Sequence, residues 1–129
     1  MASATSNYLM DKGFTAAAAL TKFRAVKFSA EETVTPVTAA TDAVAGVAQF
    51  GVSAGEITKG KGATVRMAGI SLMEASEALV PGNLISITST GLAQVAGTTE
   101  RQIGICVQGA SGSGKYAAVE LSLPGTLVV

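Results

Sequence analysis

The sequence predicts an all-β fold, a small β-barrel or sandwich made of two diverged β repeats over residues 21–129, preceded by an extended N-terminal arm over residues 1–20. Three observations predict it. From Thr21 onward, short runs rich in Val, Ile, Thr and Phe alternate with clusters of Gly, Pro, Ser and Asn at spacings of roughly ten residues, the signature of antiparallel strands joined by tight turns. The second half also resembles the first when slid over it, the mark of an internal duplication. Finally, the apolar residues are mostly small and aromatics make up 5% of the chain, so a core can form but is thin, and a single repeat cannot cover its own apolar face.

The first twenty residues, MASATSNYLMDKGFTAAAAL, start small and polar and show little regular alternation, which reads as an arm. The Ala16 to Ala19 run favours helix but is far shorter than the ~12 to 15 residues an isolated helix needs in water. Strands are expected near 22–28, 33–37, 43–50, 63–73, 84–88, 92–96, 102–108 and 116–123. In the last of these Ala117, Val119, Leu121 and Leu123 share one face, and Tyr116, Ala118, Glu120 and Ser122 the other. Ile103, Ile105 and Val107 alternate in the same way with Gly104, Cys106 and Gln108, which makes Cys106 a small buried thiol in a strand. Pro81-Gly82-Asn83 suits a tight turn, because proline presets φ and glycine tolerates the positive φ that follows.

A slide of 58 positions places Val34, Val37, Thr41, Asp42, Gly46, Val47, Gly51 and Ser53 on Leu92, Val95, Thr99, Glu100, Gly104, Ile105, Gly109 and Ser111. After a gap of four, Val65 and Met67 fall on Val119 and Leu121. Each half then reads as an apolar strand, a polar turn ending in an acidic residue, a strand with an internal glycine, a Gly-Ser turn and a closing strand. The internal glycines, Gly46 and Gly104, point to a bulge or to the close approach of another backbone.

Nine basic and nine acidic side chains balance to zero, which removes any long-range pull toward nucleic acid phosphates or anionic lipid, so neither is expected as a partner. With no histidine and one cysteine, zinc chemistry and the usual catalytic triads are excluded; no cofactor and no enzymatic activity are expected. No apolar run approaches the ~20 residues of a membrane span, and the first residues lack the basic start and apolar stretch of a signal peptide, so synthesis in a cytoplasm is expected.

One pattern resembles chemistry. Gly109-Ala-Ser-Gly-Ser-Gly114-Lys115 satisfies the G-x-x-x-x-G-K spacing of a phosphate-binding loop. The position that should carry a Ser or Thr hydroxyl for Mg²⁺ is Tyr116, and the following YAAVELSLPG alternates like a strand, so no helix N-terminus is available beneath a phosphate. Its counterpart in the first repeat, Gly51-Val-Ser-Ala-Gly55, is another Gly-rich connection, and a hairpin is the expected structure for both. Glu31 with Glu32, Glu74 with Glu77, and Lys59-Gly-Lys61 read as solvated loop charge, lacking the spacing of paired catalytic carboxylates or the aromatics of a nucleic-acid patch.

The order Arg24-Ala-Val-Lys-Phe28, Thr33-Val-Thr-Pro36, Val44-Ala-Gly-Val47, Ala63-Thr-Val-Arg-Met-Ala-Gly-Ile70, Val80-Pro-Gly-Asn83, Gly91-Leu-Ala-Gln-Val95, Ile103-Gly-Ile105 and the closing strand from Ala117 to Leu123 resembles the small capsid decoration, or cement, proteins of tailed bacteriophages, in the DUF2190-like group. The resemblance spans about residues 22–123. It implies a β-barrel that binds the outer surface of an assembled head, bridges subunits of the major capsid protein and stabilises the expanded shell, as a homo-oligomer expected to be a trimer. For that role Tyr8, Leu9, Met10 and Phe14 are the candidate capsid contacts, apolar anchors on an arm that orders on binding. Leu127, Val128 and Val129 are the candidate oligomer contacts. The alternatives are a head-fibre or surface-glycan binding module, which the scarcity of rings disfavours because Tyr8 and Tyr116 are the only tyrosines and tryptophan is absent, and a phosphate-loop nucleotide-binding protein.

Overall fold

Alternating small apolar residues become strand where one face can be buried. The computed structural model describes residues 7–127 and turns them into nine strands and one helical turn. These are β1 (Asn7–Ala16), β2 (Ala25–Ala30), β3 (Thr33–Pro36), β4 (Gly46–Ala48), α1 (Ala54–Thr58), β5 (Ala63–Glu74), β6 (Leu84–Ile87), β7 (Ala93–Val95), β8 (Arg101–Gln108) and β9 (Tyr116–Leu127). The strands hydrogen-bond in the order β1-β3-β2-β4-β5-β9-β8-β6-β7, and β1 also pairs with β5. Through that extra pairing the ring β1-β3-β2-β4-β5 closes as a five-stranded barrel. The set β5-β9-β8-β6-β7 repeats the ring, and the parallel bridge Ala75↔Ala93 joins its ends. There the Ser76 N–H and hydroxyl both donate to the Ala93 carbonyl, at 2.9 and 3.1 Å.

The two rings share their register. Asp11↔Arg66 and Phe14↔Ala63 in the first recur as Ile70↔Glu120 and Met73↔Ala117 in the second. Val26↔Pro36 recurs as Ile85↔Val95, Ala25↔Val47 as Leu84↔Ile105, and Val47↔Arg66 as Ile105↔Glu120. The parallel pair Ala16↔Val34 recurs as Ala75↔Ala93. The duplication expected from sequence is therefore present in the hydrogen-bond ladder, with a correction of one residue. β2 and β3 match β6 and β7 at a slide of 59, so Val34 corresponds to Ala93 and Val37 to Ala96. The slide returns to 58 at β4 and β8 because the connection after β7 is one residue shorter.

A larger correction concerns the N-terminal segment. It is extended, but from Asn7 to Ala16 it forms β1, a stave of the first barrel paired with both β3 and β5. Phe14 and Ala16 supply the inward side chains, packed with Leu20, Val26, Val34 and Val65. On the same strand Asp11 grips Arg66 of β5 with both carboxylate oxygens, at 2.8 and 3.0 Å. The four-residue gap in the repeat is also more than a turn. It is taken up by α1, which Ser53 and Glu56 start with a reciprocal capping box.

The interiors of the two barrels correspond residue by residue: Phe14 with Met73, Leu20 with Leu79, Val26 with Ile85, Ala45 with Ile103, Val65 with Val119. The second core is larger. Ala25 and Val47, whose neighbours Val26 and Ala48 point into the first barrel, face outward and join the second cluster together with Val37 and Val44. The outer wall of the first barrel is thus packed against the open mouth of the second, where Ile87 is completely buried. Backbones meet at the contact: Ala25 N–H donates to the Gly91 carbonyl at 3.0 Å. A β-carbon on Gly91 would lie 2.9 Å from the Ala25 oxygen, so glycine is required there. β5 serves both barrels, pairing with β1 over 63–70 and with β9 over 70–74, and Gly69 at the handover takes φ +102°.

Candidate functional site

Most of the chemistry-bearing residues singled out in the sequence do structural work, while Glu31, Lys59 and Lys115 stand exposed. The Gly109 to Lys115 loop connects β8 directly to β9, and a strand rather than a helix starts at Tyr116. Gly109 lies against the Leu79 and Val80 backbone, where a side chain would collide, and Gly114 carries φ +82° as its counterpart Gly60 carries φ +87°. The hairpin expected for this loop is present; its counterpart after Gly51 holds α1 instead of a plain turn.

Among the described residues, seven of the nine carboxylates have hydrogen-bond or ion-pair partners, the exceptions being the exposed Glu31 and Glu120. Glu32 meets Lys12 at 2.6 Å, Glu74 meets Arg24 at 3.2 Å across the barrel contact, and Glu77 accepts the Val95 N–H at 2.9 Å. Lys61 pairs with Glu56, whose carboxyl the Ser53 N–H, and secondarily that lysine, hold below its ordinary value. The two acidic turn residues that the duplication matched play one role twice. Asp42 accepts N–H groups of Thr38 and Ala39 at 2.9 and 3.0 Å and meets Lys27 at 3.1 Å. Glu100 accepts the Gly97 N–H at 2.6 Å and the hydroxyl of Ser86, the counterpart of Lys27, at 2.9 Å. The Thr38 N–H above all, helped by Lys27 and the Ala39 N–H, lowers the Asp42 pKa despite some desolvation. Cys106 is a buried free thiol in β8 as expected, and burial raises its pKa. Among the described residues no group of three or more His, Cys, Asp or Glu side chains could hold a metal ion, and no helix is long and apolar enough to cross a membrane.

The surface offers apolar side chains. Leu9 and Met10, expected as partner contacts, stand on β1 with 80% and 52% of their surface exposed. Phe14 does not join them: at 8% exposure its ring is committed to the first core, edge-on to Phe28 at 5.3 Å. The backbone of Tyr8 pairs with Gly69, while its side chain, that of Leu127, and the whole of Val128 and Val129 lie outside the described residues. Two further exposed groups were missed in the sequence. Phe28, beside Met10 and Met67, rims the open mouth of the first barrel. Leu84 and Ile105, cross-strand partners on β6 and β8, form with Val107 an apolar strip on the outer wall of the second barrel. The signal for that strip was the alternation of Ile103, Ile105 and Val107; the irregular register between Gln102 and Gly104 turns Ile103 into the core beside Cys106 and leaves Ile105 and Val107 outside.

This architecture has a counterpart among solved structures. The base of the head fibre, the gp8.5 N base of bacteriophage phi29, aligns over 93% of this chain and 98% of that one, with a TM-score of 0.67 and 17% sequence identity. The likeness is one of fold. No family model matches the chain, so the DUF2190-like resemblance gains no support from that comparison, and no curated protein matches it.

Proposed function

We propose that this protein is a non-enzymatic structural component of a tailed-phage head, seated on the outer surface of the shell as a decoration protein that bridges subunits of the major capsid protein. The observation that carries the reading is the end-to-end likeness to a phage head-fibre base, which takes in nearly the whole of both chains. Two features are consistent with it: most of the ionic side chains described above tie loops or neighbouring strands together, and the exposed chemistry includes apolar strand surface suited to contact with other proteins. A closed oligomer, expected to be a trimer, placed on a symmetry axis of the shell would touch several coat subunits at once, and weak contacts multiply through effective concentration. Selective binding to the expanded lattice would stabilise that state.

The same neighbour favours a second reading, in which the chain is the base of a head fibre. One experiment separates the two. Heads lacking the protein are mixed with it and sedimented, and the temperature at which DNA-filled heads burst is recorded. A decoration protein co-sediments with expanded heads in preference to precursor shells and raises the bursting temperature. A fibre base binds and leaves that temperature unchanged. Absence of binding to either form rejects both.

A further inference from the structure

The internal duplication makes a statement about the surface that neither barrel uses. Inside the chain, the outer wall of the first barrel (Ala25, Val37, Val44, Val47) receives the mouth of the second, where Ile87 and Gly91 lie. Each side of that contact has a copy. The wall recurs on the second barrel as Leu84, Ala96, Gln102 and Ile105; the hydrogen bond Val37 N–H to Ala25 carbonyl, 3.5 Å, recurs as Ala96 N–H to Leu84 carbonyl, 2.8 Å. The mouth recurs on the first barrel, with Phe28 in the place of Ile87, Met67 in that of Leu121 and Glu32, at φ +52°, in that of Gly91. Ala25, Val37, Val44, Val47, Ile87 and Gly91 are buried in the contact; of their copies Leu84, Ile105, Phe28 and Glu32 are exposed and Ala96 and Gln102 half-buried, while Leu121 and Met67 are half-buried alike. Ala25 and Val47 are 1% and 0% exposed, Leu84 and Ile105 47% and 38%; Ile87 is 0% exposed and Phe28 50%.

Tandem-repeat proteins end in units with polar outer faces, because an interface repeated once too often stays sticky. This chain ends its second barrel with an apolar wall and its first with an apolar mouth. We infer that the wall of one copy receives the mouth of a second copy of this chain, so that molecules join head to tail through the contact that already joins the two barrels. The joint is heterologous, and it closes into a ring if the rotation per step permits. Leu84 replaces Ala25 and Glu32 replaces Gly91, so the backbones cannot approach as closely as they do within the chain, and side chains carry the contact. The inference rests on the repeat and not on the phage-head reading, and its test needs no capsid.

The full chain is examined by sedimentation velocity up to about 200 µM, a range that detects even weak joints. The wild type sediments as an oligomer. Ile105→Glu on the wall and Phe28→Glu at the mouth each give a monomer, with unchanged far-UV dichroism. Mixed in equal amounts, the two variants give a 1:1 dimer, because one retains a mouth and the other a wall. If Phe28→Glu disturbs folding through its contact with Phe14, Met10→Glu on the same rim takes its place. A monomeric wild type, a single variant that associates like the wild type, or a mixture that stays monomeric overturns the inference; the second result would mean a symmetric joint through one face.

Discussion

Gly46 and Gly104 face the same obstacle in the two barrels: a β-carbon on Gly46 would run into the Arg66 carbonyl across β5, and one on Gly104 into the corresponding Glu120 carbonyl across β9. Both strands cross their neighbour with no room for a side chain. Gly104→Ala and Gly46→Ala should therefore each force a backbone shift costing about 1–3 kcal/mol, as overpacking of a filled site does. A urea titration reads this as a lowered midpoint at constant slope; a midpoint within error of the wild type would contradict the close approach.

Asp11 holds Arg66 by two parallel hydrogen bonds, and Arg66 is 8% exposed. Removing the carboxylate leaves a largely buried guanidinium without its counter-ion. Asp11→Ala should cost about 2–3 kcal/mol, and Asp11→Asn less, because the amide keeps one acceptor. The comparison is made in the same denaturant assay, and equal stabilities of Asp11→Ala and wild type would show the pair to be idle.

Deleting residues 1–16 removes β1, leaves β3 and β5 with unpaired edges and empties the place of the Phe14 ring. Loss of that ring alone is worth about 3–5 kcal/mol, against a total domain stability of about 5–15. The truncated chain should lose protection from hydrogen exchange throughout β2, β3 and β4; protection equal to that of the full chain would mean that β1 is dispensable. Leu9→Ser leaves the core untouched and is the cleaner probe of a partner contact on this strand.

Acid should weaken the fold through Asp42. Its carboxyl titrates below 3.8 in the folded chain and near that value when unfolded, so the unfolded state takes up the proton first. The stabilisation is complete above about pH 5 and disappears as the pH falls through the folded value. The stability gap between wild type and Asp42→Asn, measured by denaturation, should be constant from pH 6 to 8 and shrink below about pH 4. A gap that widens on acidification would reverse the sign.

Most of the strands could be read directly because residues such as Ile103, Ile105 and Val107 alternate over a long enough run. β1 escaped because its inward side chains at the readable end are Phe14 and Ala16, flanked by the charges of Asp11 and Lys12. A slide of 59 instead of 58 would have set these two on Met73 and Ala75 and exposed the strand. The helical turn α1 buries no residue and so has no periodicity, although its Ser53-to-Glu56 capping box stood in the sequence. What the pattern could not carry is which apolar face is inside: Ala25-Val26 and Val47-Ala48 are apolar on both sides, and only the arrangement of the barrels decides that Val26 lines a core while Ala25 meets a neighbour. The candidate contacts divided for the same reason, with Phe14 drawn inward by the strand it belongs to and Leu9 left outside.

The twelve residues of β5 are staves of both barrels, so the chain contains no joint at its waist. Swinging one half against the other would mean tearing a ladder, a far harder deformation than flexing a tether. A load applied at one end reaches the other without slack. The molecule behaves as a peg, and whatever grips one barrel also sets the aim of the second.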